Sequence, residues 1–110
     1  MLSTEIIYIF NQQTTNATSS NQYLDLTSNK AVVSAWGTWG GAQLQLQVGT
    51  IPTLDNVTTW VTIRDRFNIP FTFTENITIT LTEYVNNQPI RGIITNASGS
   101  TVINCIIQVI

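Results

Sequence analysis

Histidine is absent from this 110-residue chain, cysteine occurs once, and charge is confined to four Lys or Arg and six Asp or Glu. Each shortage excludes something. Without histidine the commonest proton shuttle and metal ligand is missing, and so is the usual base for a cysteine nucleophile. A lone thiol, Cys105, excludes an intrachain disulfide. Its strand neighbours are apolar, so it reads as a small buried hydrophobe. The carboxylates Glu5, Asp25, Asp55, Asp65, Glu75 and Glu83 are scattered. No two share a recognisable loop spacing, whereas acid–base pairs and calcium sites need carboxylates that converge. Solvated or capping roles fit them better. No phosphate loop, zinc ligand set or triad is present, and the expectation is a non-enzyme with no catalytic residue, cofactor or metal.

The scarcity of charge bears on partners. The cations are Lys30, Arg64, Arg66 and Arg91, too few to form the basic stripe from which nucleic-acid binding draws its affinity. Charged residues are 9% of the chain, against about 25% in a typical domain. Self-repulsion is therefore weak, a hazard for a free monomer and tolerable in an assembly. The longest apolar run, Ile6-Ile7-Tyr8-Ile9-Phe10, is far shorter than the roughly 20 residues that cross a bilayer. No basic region precedes it and polar Asn11-Gln12-Gln13 follows, which does not read as a secretory signal. Neither nucleic acid nor membrane is an expected partner. Asn-x-Ser/Thr tripeptides at Asn16, Asn56, Asn76 and Asn96 are read as coincidence in a chain so rich in Asn and Thr.

What is present is short, neutral and polar. Seven Ser, 18 Thr, 11 Asn and eight Gln fill 44 positions. They alternate with apolar residues at a period of two. In Ala42-Gln43-Leu44-Gln45-Leu46-Gln47-Val48 every second residue is apolar, and Ile77-Thr78-Ile79-Thr80-Leu81-Thr82 repeats the pattern with Thr. This is a strand with one wet face, and β-branched Ile and Thr suit it. No stretch shows a convincing helical stripe.

Breaks fall at Thr27-Ser28-Asn29-Lys30, Trp39-Gly40-Gly41, Gly49-Thr50-Ile51-Pro52, Asn86-Asn87-Gln88-Pro89 and Asn96-Ala97-Ser98-Gly99. Gly37-Thr38-Trp39-Gly40-Gly41 superficially suggests a phosphate cradle, but it lies between strands and lacks the lysine, so it reads as a turn. The strands left over are 4–10, 22–26, 31–38, 42–48, 58–63, 69–74, 76–82, 90–95 and 101–109. The fold expected is all-β: one domain over 1–110, an antiparallel β-sandwich of about eight short strands, with a jelly roll as one form it could take. Polar residues 11–21 are expected as a loop or arm, and short connections favour hairpins.

Two strands break the one-wet-face rule. The first places Ile7 and Ile9 on one face and Ile6, Tyr8 and Phe10 on the other. The last places Ile103, Cys105, Ile107 and Val109 on one face and Val102, Ile106 and Ile110 on the other. In a two-layer domain only one face meets the core, so the second is expected to meet another subunit, with cover by a loop of the same chain as the alternative. The interface residues expected are Ile6, Tyr8, Phe10, Ile106 and Ile110, with Trp60, Arg64 and Arg66. Arg64-Asp65-Arg66 reads as a local ion pair or a polar inter-subunit contact. Trp36, Trp39, Trp60, Tyr23 and Tyr84 invite comparison with a sugar-stacking platform, although packing explains them more simply. Trp36 and Trp39, three apart, point to opposite faces of a regular strand.

The run Gly37-Thr38-Trp39-Gly40-Gly41-Ala42, the alternating Leu44, Leu46 and Val48, then Thr58-Thr59-Trp60-Val61 resemble a pattern in small tailed-phage virion proteins. Arg91-Gly92-Ile93-Ile94 and Gly99 are similar to a later part of it, and the resemblance covers residues 31 to 100. Asp55-Asn56-Val57 stands where those proteins have an Asp-Gly turn. The resemblance implies a non-catalytic head decoration (cement) protein of the capsid surface, made in the host cytoplasm. It implies the major capsid protein or another virion protein as partner, and a homo-oligomer, with a trimer favoured. A tail or fibre component, or a carbohydrate-binding module for host attachment, are the alternatives.

Overall fold

The computed structural model describes residues 5–23, 31–49, 59–64, 67–81 and 89–109. They form nine strands: β1 (Glu5–Gln13), β2 (Ala17–Thr18), β3 (Gln22–Tyr23), β4 (Ala31–Thr38), β5 (Gln43–Gly49), β6 (Trp60–Thr62), β7 (Ile77–Leu81), β8 (Pro89–Thr95) and β9 (Val102–Val109). No helix occurs among the described residues. One sheet runs β1-β9-β4-β7 and the other β2-β8-β5-β6, with β3 also paired to β8. Every pairing is antiparallel. The chain is an all-β sandwich.

Because β2 and β3 both lie along β8, they act as one interrupted edge strand. Counted so, the first strand pairs with the eighth (β1 with β9), the second with the seventh, the third with the sixth (β4 with β7) and the fourth with the fifth (β5 with β6). Contacts of β9 with β4 and of β8 with β5 close the two sheets. A long hairpin of strand pairs rolled up in this way is a jelly roll. The expectation of hairpins is thereby corrected. Among the described strands only β5 and β6 are consecutive partners, because the turns at Trp39–Gly41 and around Asn96–Thr101 pass the chain from one sheet to the other.

The core is the set of inward residues the alternation marks. Ala31, Val33 and Ala35 of β4, Leu44, Leu46 and Val48 of β5, Ile90 and Ile94 of β8, and Ile103, Cys105 and Ile107 of β9 are all buried. Two expectations change. Polar residues 11–21 are partly strand: β1 runs on to Gln13, and β2 lies within the segment. Asparagine side chains help hold it there, since Gln12 N donates to Asn104 Oδ1 (2.9 Å) and Ala97 N to Asn16 Oδ1 (2.8 Å), and Ala17 packs against the core. Residues 69–74 do not form a strand of their own. Phe73 pairs only with Leu44 and Pro70 only with Arg64, because β6 and this segment share one edge of β5.

The end of the sandwich near Gly37 is tied by side chains. Asn76 Oδ1 accepts from both Gly37 N and Trp39 Nε1 at 3.0 Å. Buried Thr101 donates to the Trp39 carbonyl at 2.9 Å and accepts from Ser98 N at 2.9 Å. Gly37 has φ 143, and a Cβ there would stand 2.0 Å from the Val102 carbonyl oxygen, so only glycine fits.

Candidate interaction surfaces

The outer face of the β1-β9-β4-β7 sheet is built by strict alternation. Register aligns Ile6, Gln108, Val32 and Thr80 in one row, and Tyr8, Ile106, Ser34 and Thr78 in the next. Asn104 with Trp36, then Val102 with Thr38, continue the face along β9 and β4. Ile6 is 51% exposed, Tyr8 57% and Trp36 40%, with Val102 also exposed and Ile106 half-buried beside Tyr8. The polar members pair laterally, as Ser34 Oγ lies 3.2 Å from Thr78 Oγ1 and Asn104 Nδ2 lies 3.5 Å from the Trp36 carbonyl. No described residue of this face carries a charge.

Three of the expected interface residues, Ile6, Tyr8 and Ile106, thus share one face. Phe10 does not join them. The register shifts between Tyr8, opposite Ile106, and Phe10, opposite Cys105, so one extra residue is inserted in β1. This bulge turns Phe10 inward, where it is 5% exposed and packs with Ile9 in the core. Gly92 of β8 makes room, for a Cβ there would lie 2.7 Å from Ile9 Cγ2 and 2.8 Å from Phe10 Cε2. Period-two reading cannot find such an inserted residue. Arg66 and Ile110 lie outside the described residues, as do Tyr84, Asp25, Asp55, Asp65 and Glu83. Arg64 sits apart on the other sheet's edge and donates through Nη1 to the Asn68 carbonyl at 2.9 Å.

Trp60 belongs to the opposite sheet, so the aromatic residues do not form one platform. Trp36 faces out from β4, while Trp39 is half-buried against the core with its indole N–H committed to Asn76. On the outer face of β8-β5-β6, Gln47 stands opposite Arg91 on one side and Thr62 on the other. Trp60 is opposite Gly49, which has no side chain to obstruct the indole. The Arg91 guanidinium carbon lies 4.0 Å from the indole centroid, and its Nε donates to Gln47 Oε1 at 2.9 Å. Next to them Gln45 Nε2 donates to Thr72 Oγ1 at 2.9 Å. The packing expected of Trp60 is thus against a cation rather than another aromatic residue. Its actual partner is 31 positions away and is fixed only by the pairing of β6 and β8 on either side of β5.

The arrangement offers contact chemistry. No group of three or more His, Cys, Asp or Glu among the described residues is placed to hold a metal ion. Cys105 is fully buried, and burial pushes its thiol up to about 12. Of the four glycosylation-type asparagines, Asn16 and Asn76 accept backbone hydrogen bonds and Asn96 takes a left-handed turn conformation, while Asn56 lies outside the described residues. No known protein family, curated protein or solved structure matches the chain.

Proposed function

We propose that this chain is a non-catalytic structural protein of a virion, a decoration subunit that docks on the capsid surface and stabilises it. The observation that carries the reading is the outer face of the β1-β9-β4-β7 sheet, which holds no charge among its described residues and on which Ile6, Tyr8, Trp36 and Val102 are exposed. Large apolar and aromatic side chains with no charge among them describe the centre of a protein interface rather than a solvated surface. A stable contact of this kind buries about 1,600 Å² in total. A protein that binds only the assembled shell stabilises it by mass action. The jelly-roll winding, used in viral capsid domains among others, supports the reading as an analogy of fold alone. The partners on this reading are the major capsid protein or another virion protein, together with further copies of the chain, a trimer being favoured.

Heads assembled without the chain, prepared from the phage that encodes it, provide the test. Purified chain is expected to attach to them and to raise their resistance to heat. Tyr8→Lys is expected to weaken attachment about tenfold or more, whereas Gln43→Lys, on the opposite sheet, leaves it unchanged. Failure of the unaltered chain to attach to heads sinks the decoration role, and attachment to isolated tails alone replaces it with a tail role. Light scattering checks self-association, against which a monomer at every concentration would count.

A further inference from the structure

We infer that Arg91, Trp60 and Gln47 form a recognition site for the carboxylate of an acidic sugar, on the sheet opposite the proposed capsid-docking face. The guanidinium of Arg91 is half-buried and held on two sides, by the Trp60 ring at 4.0 Å and by Gln47 Oε1 at 2.9 Å. Such a group is oriented in advance. Of its five N–H donors one is committed to Gln47, and the terminal pair of nitrogens retains the fork that grips a carboxylate through two parallel bonds.

Burying part of a guanidinium without a counter-ion is unfavourable. Among the described residues no carboxylate pairs with Arg91. The described carboxyl residues are Glu5, at the start of β1 in the other sheet, and Glu75, in the bend that leads from Phe73 to β7. With its terminal nitrogens meeting no carboxylate among the described residues, the fork is complementary to an anion. The surrounding face decides what carries that anion. Gln43, Gln45, Thr62, Thr72 and Thr18 present amides and hydroxyls, groups that match sugar hydroxyls. Among the described residues that share this face with Arg91, the apolar ones are the indole and half-buried Ile93, while exposed Val61, Phe67 and Ile69 lie along the β6 edge. An acidic protein surface would need an apolar centre to dock against, and this chain has that on its other sheet. An acidic glycan fits both the charge and the amide-rich surroundings. The inference does not rest on the capsid reading, and the two can fail separately.

The test uses the full chain labelled with ¹⁵N, with the Trp60 indole N–H and Arg91 Nε–H signals followed during titration with short oligogalacturonate. Both signals are expected to shift, and the Trp36 indole signal to stay in place. Fully methyl-esterified oligomers of the same length, which keep the sugar and lose the charge, are expected to shift neither. Acetate at the same carboxylate concentration is also expected to leave both in place. Arg91→Gln is expected to lower affinity at least about tenfold, with an unchanged circular dichroism spectrum showing that the fold persists. Absence of a shift with oligogalacturonate in the unaltered chain overturns the site. An equal response to the ester overturns the role of the carboxylate, and an equal response to acetate overturns the sugar.

Discussion

The Cys105 thiol is fully buried between the sheets, in a strand whose inward neighbours Ile103 and Ile107 are fully buried as well. Desolvation disfavours the thiolate and raises the pKa from 9.0 to about 12. In the unfolded chain the thiol ionises at the lower value, so above it the folded state holds the proton more tightly. Stability from this group is whole below pH 9.0 and is lost progressively as pH rises towards about 12. We expect the native protein to resist a thiol-specific aromatic disulfide reagent at neutral pH and to react once unfolded in urea. Urea midpoints recorded from pH 8 to pH 11 should fall more steeply for the unaltered chain than for Cys105→Ala; equal slopes would remove the explanation.

At the scale of elements, two glycines connect strands through what they leave empty. Gly37 of β4 faces a backbone carbonyl, that of Val102 in β9, at a distance a methyl group cannot tolerate. Gly92 of β8 faces the side chains of Ile9 and Phe10, which have some freedom to move. The ordering follows. Gly92→Ala should cost about 1–3 kcal/mol, as overpacked cores do. Gly37→Ala should cost more, because strained φ is added to a clash with a sheet backbone. Equilibrium urea unfolding of the two variants reads the difference, and a smaller loss for Gly37→Ala would contradict it. The bulge in β1 belongs at this scale too. It separates Phe10 from Tyr8 and decides which aromatic of the first strand is core and which is surface.

The whole molecule is organised by contacts between distant parts of the chain. Among the described strands the first pairs with the last, and only β5 and β6 pair as sequence neighbours. Loop-closure entropy must be met before such pairings return any stability. Folding is accordingly expected in milliseconds to seconds, the range of all-β domains dominated by non-local pairing. Stopped-flow refolding by Trp fluorescence measures it, and microsecond folding would contradict this account. With a net charge of −2 and a sequence pI near 4.6, little electrostatic repulsion opposes contact between copies at mildly acidic pH.

Much of this is legible in the amino-acid sequence. Strand β4 falls on residues 31–38 as the alternation predicts, and Leu44, Leu46, Val48, Ile103, Cys105 and Ile107 lie inward as their spacing requires. A period of two is a local property of the backbone, so neighbouring residues alone determine that the chain makes strands and which residues share a face. They also establish the shortage of ionisable groups. Pairing is a different matter, because it depends on which distant strands close on one another. Tertiary structure decided the rolled winding, the inward turn of Phe10 and the strands within the polar segment 11–21. It also brought Arg91 over Trp60, two residues far apart in the chain that meet only because β8 and β6 flank the same strand.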